Sequence, residues 1–158
     1  MLHEAYRLVR KDRAESAFSG EGSRLFGGRW NPKGVAVVYG SQHLSLCVLE
    51  FRVNQDRFGP RDGYVFFRVT IPGNLIETLP REKAPPGWDR RDLPPGKPTP
   101  AQRFGQRWVR EMRSAVLEVP SAVLPQERNY VLNPLHPDFA QLNLGRALTV
   151  RLDDRLWR

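Results

Sequence analysis

Cysteine and histidine are scarce in this 158-residue chain, which limits the kinds of site it can build. The single cysteine, Cys47, cannot form an intrachain disulfide, and the apolar run at 44–51 around it predicts a buried, unreactive thiol. The three histidines, His3, His43 and His136, lie far apart without the spacing of metal ligands. We therefore expect neither a metal site nor a thiol nucleophile.

Long hydrophobic runs are also missing. No stretch approaches the roughly 18 to 20 apolar residues that a membrane-spanning helix requires. The first residues include Glu4, Arg7, Arg10 and Lys11, with no apolar segment of signal-peptide length. These features predict a cytoplasmic protein without membrane contact. Two catalytic fingerprints are absent as well: a G-x-G-x-x-G between strand and helix, and the G-x-S-x-G of serine hydrolases.

The chain has an excess of positive charge and enough apolar residues for a core. It has 25 Lys and Arg against 17 Asp and Glu, a formal net charge of +8, and 40% of its residues are hydrophobic. Residues 81–113 contain nine basic and four acidic residues. Such a balance suits a nucleic acid, an acidic protein or a phosphate-bearing small molecule, and charge alone leaves these three open.

Apolar patterning predicts an α+β fold in a single domain over residues 1–158, with short helices beside mixed sheets. Ser41 is placed to cap a helix over 44–53, and Phe104, Trp108 and Met112 form the buried stripe of a second helix over 101–114. Strands are predicted at residues 6–9, 35–39, 64–70, 119–124, 130–132 and 148–152.

Seven of the fourteen prolines fall within residues 80–100. This composition predicts an irregular loop inside the domain rather than a linker between two domains. Trp88, in the middle of the loop, is expected to anchor it to the body of the protein.

Glu50 is the most informative polar position. The helix around it is apolar on nearly every side, so we expect it to be largely buried, and a carboxylate there requires a compensating partner. Such carboxylates concentrate in active sites, although a structural ion pair or a solvent-facing helix end would place Glu50 equally well.

Three further regions carry candidate side chains. Arg29 stands between a glycine pair and Trp30, where a guanidinium could bind a phosphate or simply serve as a loop residue. Tyr39 ends a predicted strand, so its ring could reach a pocket or belong to the core. Ser121 follows a proline in an apolar strand, and Asn133 and His136 lie in Asn-Pro-Leu-His-Pro, typical of a rigid turn.

Five segments occur in order along nearly the whole chain. They are Tyr6-Arg7, Gly27-Gly28-Arg29-Trp30-Asn31, Val38-Tyr39-Gly40-Ser41, Leu49-Glu50, and a final stretch with Val119-Pro120-Ser121, Glu127-Arg128-Asn129-Tyr130 and His136-Pro137-Asp138-Phe139. Together they resemble a RES domain, from about residue 5 to residue 152. The family takes its name from an Arg, a Glu and a Ser, which correspond here to Arg29, Glu50 and Ser121.

The resemblance implies a fold related to ADP-ribosyltransferases, with NAD as substrate in a cleft between small sheets and no metal. It further implies NAD cleavage by hydrolysis or phosphorolysis, or ADP-ribosyl transfer to a protein. Glu50, Arg29 and Tyr39 are the expected catalytic residues. Arg7 also occupies a family-like position, so either arginine could be the main phosphate clamp. The expected NAD-binding residues are Arg7, Arg29, Trp30, Tyr39, Ser41, Ser121 and Asn133.

The resemblance also implies that the chain is the toxin of a toxin–antitoxin pair, and it implies partners. These are an inhibitory antitoxin with an Xre-type DNA-binding region, in some relatives a target protein, and other copies of this chain within the toxin–antitoxin complex. A different class of function explains the charge equally well: a basic nucleic-acid-binding module without chemistry of its own. That alternative leaves Glu50 without a role.

Overall fold

Seven strands and three α-helices make up the regular structure of the computed structural model, which describes residues 1–54 and 63–157. The helices are α1 (Glu21–Phe26), α2 (Leu44–Asn54) and α3 (Pro100–Arg110). The strands are β1 (Leu2–Arg10), β2 (Val38–Ser41), β3 (Tyr64–Pro72), β4 (Ile76–Thr78), β5 (Val116–Pro120), β6 (Arg128–Leu132) and β7 (Leu148–Val150).

The strands form one mixed sheet in the order β4-β5-β6-β2-β1-β3-β7. β4 and β5 are parallel, and every other neighbouring pair is antiparallel. The predicted α+β domain with mixed strands and short flanking helices is therefore confirmed. None of the helices in the described ranges is both long enough and apolar enough to cross a membrane.

Apolar side chains lie on both faces of the sheet, because successive side chains along a strand point to opposite faces. On one face, α3 buries Trp108 against Leu117 and Val131, and α2 buries Cys47 against Leu8. The other face is packed with a second apolar layer that includes Val69, Ile71, Val116, Leu132 and Leu142. Glu50 is carried by α2, so it lies on the first of these faces.

The sheet is nearly divided between β1 and β2. β1 pairs with β3 along its whole length, from Leu2↔Pro72 to Arg10↔Tyr64, but it pairs with β2 only at Tyr6↔Ser41. We call this weakly paired boundary the β1–β2 seam. It separates a β1-β3-β7 half from a β4-β5-β6-β2 half.

The predicted strand at 35–39 is displaced toward the C-terminus, where β2 covers Val38–Ser41. Two side chains, one from α1 and one from the turn that follows it, satisfy the backbone just before β2. Asn31 Nδ2 donates to the Val35 carbonyl at 2.9 Å, and Ser23 Oγ bonds both the N–H and the carbonyl of Val37. With these groups satisfied, the strand ladder begins only at Val38.

Three other predicted elements, a helix and two strands, end early, and one of them is the strand expected at 148–152, which is Leu148–Val150. The helix expected over 101–114 stops at Arg110, and Met112 adopts a left-handed φ of 50°. Met112 is therefore 46% exposed instead of continuing the stripe of Phe104 and Trp108. The strand expected at 119–124 is Val116–Pro120, because Ser121 begins a turn. The other predicted strands are present.

Helix α2 is less buried than its composition predicted. Only Leu46 and Cys47 are buried, while Leu49 and Val53 are exposed at 41% and 62%. The helix packs one side against β1 and β2 and turns the other side outward, so Glu50 is half-buried rather than enclosed.

The proline-rich loop behaves as predicted. Apart from a short 3-10 turn at Arg81–Lys83, residues 81–99 are irregular, and Trp88 is buried. The Trp88 ring stacks on Trp30 with ring centroids 6.2 Å apart.

Candidate active site

The carboxylate of Glu50 is the centre of a cluster of polar side chains. Its Oε1 accepts a 2.6 Å hydrogen bond from Ser121 Oγ and another of 2.6 Å from Asn129 Nδ2. The donors lie 71 and 79 positions further along the chain. Ser41 is connected to this cluster through Asn129, to which its hydroxyl donates a hydrogen bond. We call Glu50, Ser121, Asn129 and Ser41 the carboxylate cluster; three of its four members were predicted as site residues.

The geometry of Ser121 fixes the direction of its hydroxyl hydrogen. Ser121 is fully buried directly after β5, and its Oγ accepts from the backbone N–H groups of Val123 (3.1 Å) and Leu124 (3.0 Å). A serine hydroxyl has two acceptor lone pairs and one hydrogen. Since both lone pairs are engaged, the hydrogen points at Glu50.

Asn129 is the member that sequence reasoning missed. It lies on β6 opposite Ser41 of β2, and Ser41 Oγ donates to its Oδ1 at 2.7 Å. Its neighbour Val131 is fully buried on the same face of the strand. The sequence carried only a weak signal, an asparagine directly before the strand predicted at 130–132 and two positions from Val131. Ser41 does not occupy the predicted capping position, because α2 begins at Leu44 and the Cys47 N–H bonds the carbonyl of His43, the residue directly before the helix.

Arg7 lies at the β1–β2 seam. Its Nε donates to the Ala17 carbonyl at 2.6 Å and its Nη1 to the Tyr39 carbonyl at 2.8 Å. The second bond crosses the seam beside its single ladder pair. Burial lowers the pKa of Arg7 to about 10, so the guanidinium remains charged at neutral pH. The seam therefore contains a fixed positive charge.

Tyr39 forms hydrogen bonds with residues 27–31, which we call the glycine-rich turn. Its hydroxyl donates to Asn31 Oδ1 at 2.5 Å and accepts from the Trp30 N–H at 3.0 Å. Burial raises the pKa of Tyr39, so the phenol stays protonated. Gly28 lies against this ring: a Cβ there would approach the Tyr39 hydroxyl to 2.8 Å, which explains the glycine.

The next two residues of that turn contact the proline-rich loop. Arg29 is half-buried, and its Nη1 donates to the carbonyls of Trp88 (2.6 Å) and Arg90 (3.0 Å). Trp30 is 2% exposed, with its ring between Trp88 and Phe104. The Trp30 ring is therefore part of the hydrophobic core.

Asn133 lies away from the carboxylate cluster. Asn129 lies near the start of β6 and Asn133 directly follows its end. The two residues are four positions apart, which is about 13 Å along an extended strand. The Oδ1 of Asn133 accepts from the Leu135 N–H, and its Nδ2 lies 3.7 Å from the Met112 sulfur. His136 caps the following 3-10 turn by accepting from the Asp138 N–H.

Cys47 is buried beneath the seam, as predicted. Its thiol donates to the Tyr6 carbonyl, with sulfur and oxygen 2.8 Å apart, and burial raises its pKa to about 11. Within residues 1–54 and 63–157, no three His, Cys, Asp or Glu side chains are grouped to hold a metal ion.

A basic groove lies on the outer side of α3. It has a volume of about 400 Å³ and is lined by Arg103, Gln106, Arg107, Arg110 and Glu111. The three arginines are exposed on one side of the helix, while Trp108 is buried on the other.

The family model for the RES domain matches residues 4–153. The chain belongs to the RES domain family. It is 36% identical to a protein named Toxin Res from Photorhabdus laumondii, over 96% of this chain and 95% of that one. It is 33% identical to the Prs ADP-ribosylating toxin of a Sphingobium species, over 89% of this chain and 86% of that one.

Among solved structures, this RES domain is similar to a chain in the crystal structure of the M. tuberculosis MbcT–MbcA toxin–antitoxin complex. The TM-score is 0.65 and the identity 18%, over 96% of this chain and 85% of that chain. At this identity the similarity concerns the fold.

Proposed function

We propose that this RES-domain protein is the toxin of a toxin–antitoxin pair and cleaves NAD at the bond between nicotinamide and ribose. The observation that carries the proposal is the carboxylate cluster: Ser121 and Asn129 converge on one oxygen of Glu50 from distant parts of the chain. A solvent-facing glutamate at a helix end needs no such arrangement. The names of the Toxin Res and Prs ADP-ribosylating relatives support the same class of activity.

Glu50 acts on the charge that develops during cleavage. When the bond between ribose C1′ and the nicotinamide nitrogen breaks, its electron pair leaves with nicotinamide, which departs neutral. Positive charge then grows on the ribose, and a fixed carboxylate stabilises this transition state more than the ground state. An acceptor completes the reaction by bonding to C1′. Water, phosphate or a protein side chain can serve.

The two arginines take different roles in this proposal. Arg29 uses Nη1 to hold the loop carbonyls, and the rest of its half-buried guanidinium binds the pyrophosphate of NAD. Arg7 is tied to carbonyls on both sides of the β1–β2 seam and supplies positive potential there. Tyr39 supports the turn that carries Arg29.

An antitoxin is the proposed protein partner. The structural relative MbcT was crystallised with MbcA as a toxin–antitoxin complex, which supports an antitoxin for this chain. We assign to that partner an Xre-type DNA-binding region and an acidic segment that meets the basic groove of α3. The complex contains more than one copy of this chain and acts in the cytoplasm.

Incubation with NAD tests the activity. Purified protein free of antitoxin is mixed with NAD in buffer, with phosphate, and with cell extract, and nicotinamide release is followed by chromatography. We expect release in at least one mixture, and release at least about 100-fold slower with Glu50→Gln. Absence of release in all three, together with unchanged NAD in cells arrested by expression, would refute the proposal. Tight RNA or DNA binding in that case would favour the nucleic-acid module.

A further inference from the structure

We propose that Asn129 is a positioning residue, oriented by Ser41, which holds Glu50 so that its Oε2 faces the substrate. This inference rests on the proposed function, because it concerns the same carboxylate. Ser41 and Asn129 form a two-step relay: Ser41 Oγ to Asn129 Oδ1 at 2.7 Å, then Asn129 Nδ2 to Glu50 Oε1 at 2.6 Å.

The chemistry of the groups permits only one direction for this relay. An ionised carboxylate accepts hydrogen bonds and donates none, so the side chain of Asn129 must present its NH₂ group to Glu50. Its carbonyl oxygen then faces Ser41, whose hydroxyl supplies the hydrogen. Ser41 is 3% exposed, so water has little access to replace it. Removing the Ser41 hydroxyl would leave the Asn129 carbonyl unsatisfied and the amide free to rotate.

Both donors bind the same oxygen of Glu50. Ser121 and Asn129 each reach Oε1, and within the described part of the chain no hydrogen bond to Oε2 is formed. Two donors from two different strand ends restrict rotation of the carboxylate about its terminal bond. Oε2 of this half-buried side chain therefore has a fixed direction, and its lone pairs are available to face the substrate.

A relay of this kind affects the rate more than the affinity. The oxocarbenium charge exists only in the transition state, so misplacing Oε2 raises the barrier without removing contacts to bound NAD. A displacement of about 1 Å in a reacting group can cost about 100-fold in rate. For Asn129→Leu, which keeps the side-chain shape, we expect kcat to fall about 10- to 100-fold while KM changes less than about threefold.

The test is a double-mutant cycle on nicotinamide release with Ser41→Ala, Asn129→Leu and the pair combined. Because Ser41 acts through Asn129, the double variant should be no slower than Asn129→Leu alone. Ser45→Ala, on the exposed side of α2, and Asn74→Leu, in an exposed turn, are the matched controls and should match wild type. Melting temperatures identify any variant that folds poorly. If Asn129→Leu is such a variant, the kcat of Ser41→Ala, the smaller change, is compared with that of wild type instead.

Three kinetic results would overturn the inference. They are a kcat for Asn129→Leu within threefold of wild type, single-variant losses that multiply in the double variant, and a raised KM with unchanged kcat. Wild-type protein that releases no nicotinamide would instead refute the proposed function. The side-chain NH₂ resonances of Asn129 report the relay independently of activity. They should shift or broaden with Ser41→Ala, and unchanged resonances would overturn the relay.

Discussion

Arg29 Nη1 donates a 2.6 Å hydrogen bond to the backbone carbonyl of Trp88, 59 residues further along the chain. The same nitrogen reaches the carbonyl of Arg90, and the Trp88 ring stacks on Trp30, the neighbour of Arg29. One guanidinium and one ring pair thus attach the proline-rich loop to the glycine-rich turn. Residues 89–98 of the loop, beyond this attachment, are exposed.

Loss of this attachment should expose the loop to protease. In Arg29→Ala, the hydrogen bonds from a charged donor are lost, worth about 1.5 to 3 kcal/mol each. We expect limited trypsinolysis to cut after Arg90 or Arg91 at least several times faster than in wild type, as mapped by mass spectrometry. Arg146→Ala, an exposed arginine elsewhere, is the control. Equal cleavage rates in wild type and Arg29→Ala would show that Arg29 does not hold the loop.

Glu50→Gln should lower the rate of catalysis while leaving the stability of the fold almost unchanged. The amide oxygen of Gln can still accept from Ser121 and Asn129, so the melting temperature should stay within a few degrees of wild type. Loss of the negative charge should lower kcat for nicotinamide release by about 10² to 10³. NAD affinity, measured by calorimetry, should change far less. Glu82→Gln, in the exposed turn at Arg81–Lys83, is the control. A normally folded Glu50→Gln protein with full activity would place the chemistry elsewhere.

Tyr39 and Tyr6 should respond differently to loss of their hydroxyls. Tyr39→Phe leaves the Trp30 N–H and Asn31 Oδ1 without their partner, at a cost of about 1 to 3 kcal/mol. For a chain of this size that lowers the melting temperature by about 3 to 10 °C. Tyr6→Phe loses only an exposed bond to Glu4 and should shift it by about 1 °C. Similar shifts in calorimetry would contradict a supporting role for Tyr39.

Much of this fold could be predicted from local pattern. The apolar strands around Tyr6 and Tyr64 and the cluster of prolines needed no tertiary information. The displacement of the strand from 35–39 to Val38–Ser41 did need it, because Asn31 and the α1 residue Ser23 satisfy the backbone just before that strand. No periodicity in the sequence reports such side-chain bonds.

The site was only partly predictable for a similar reason. Glu50 and Ser121 were recognisable by residue type and resemblance. Asn129 was not, because its importance depends on the register that places it opposite Ser41. A shift of one residue in that pairing would turn its side chain to the other face of the sheet. Asn133, the asparagine that was predicted as an NAD-binding residue, lies beyond the opposite end of the same strand, about 13 Å from Asn129.

Cys47 should resist alkylation in the native protein. The thiolate is the reactive form, and burial raises the pKa of the thiol to about 11, so almost all of it is protonated at pH 8. Iodoacetamide labelling, followed by mass spectrometry, should be slow at pH 8 and become rapid when urea is added. Labelling of native protein at the rate of the unfolded chain would contradict the buried position.

Association with the antitoxin should depend on the basic groove of α3. Steering between exposed charges is screened over about 10 Å at 0.1 M salt, so the association rate should fall as salt is added. Arg107→Glu with Arg110→Glu should lower this rate by about tenfold in surface plasmon resonance, with Arg146→Glu as control. A rate that is independent of salt and of both substitutions would indicate a mainly apolar interface elsewhere.

The β1–β2 seam has a consequence for how this chain can move and how it can be cut. The chain passes from one side of the seam to the other four times: from β1 to β2, β2 to β3, β3 to β4, and β6 to β7. Neither side is a continuous stretch of polypeptide, so no single nick separates them and no truncation yields one alone. The two halves therefore remain parts of one domain, and any sliding of one half past the other would strain four chain connections and the apolar layer that Ala5 and Val69 form with Val116 across the seam.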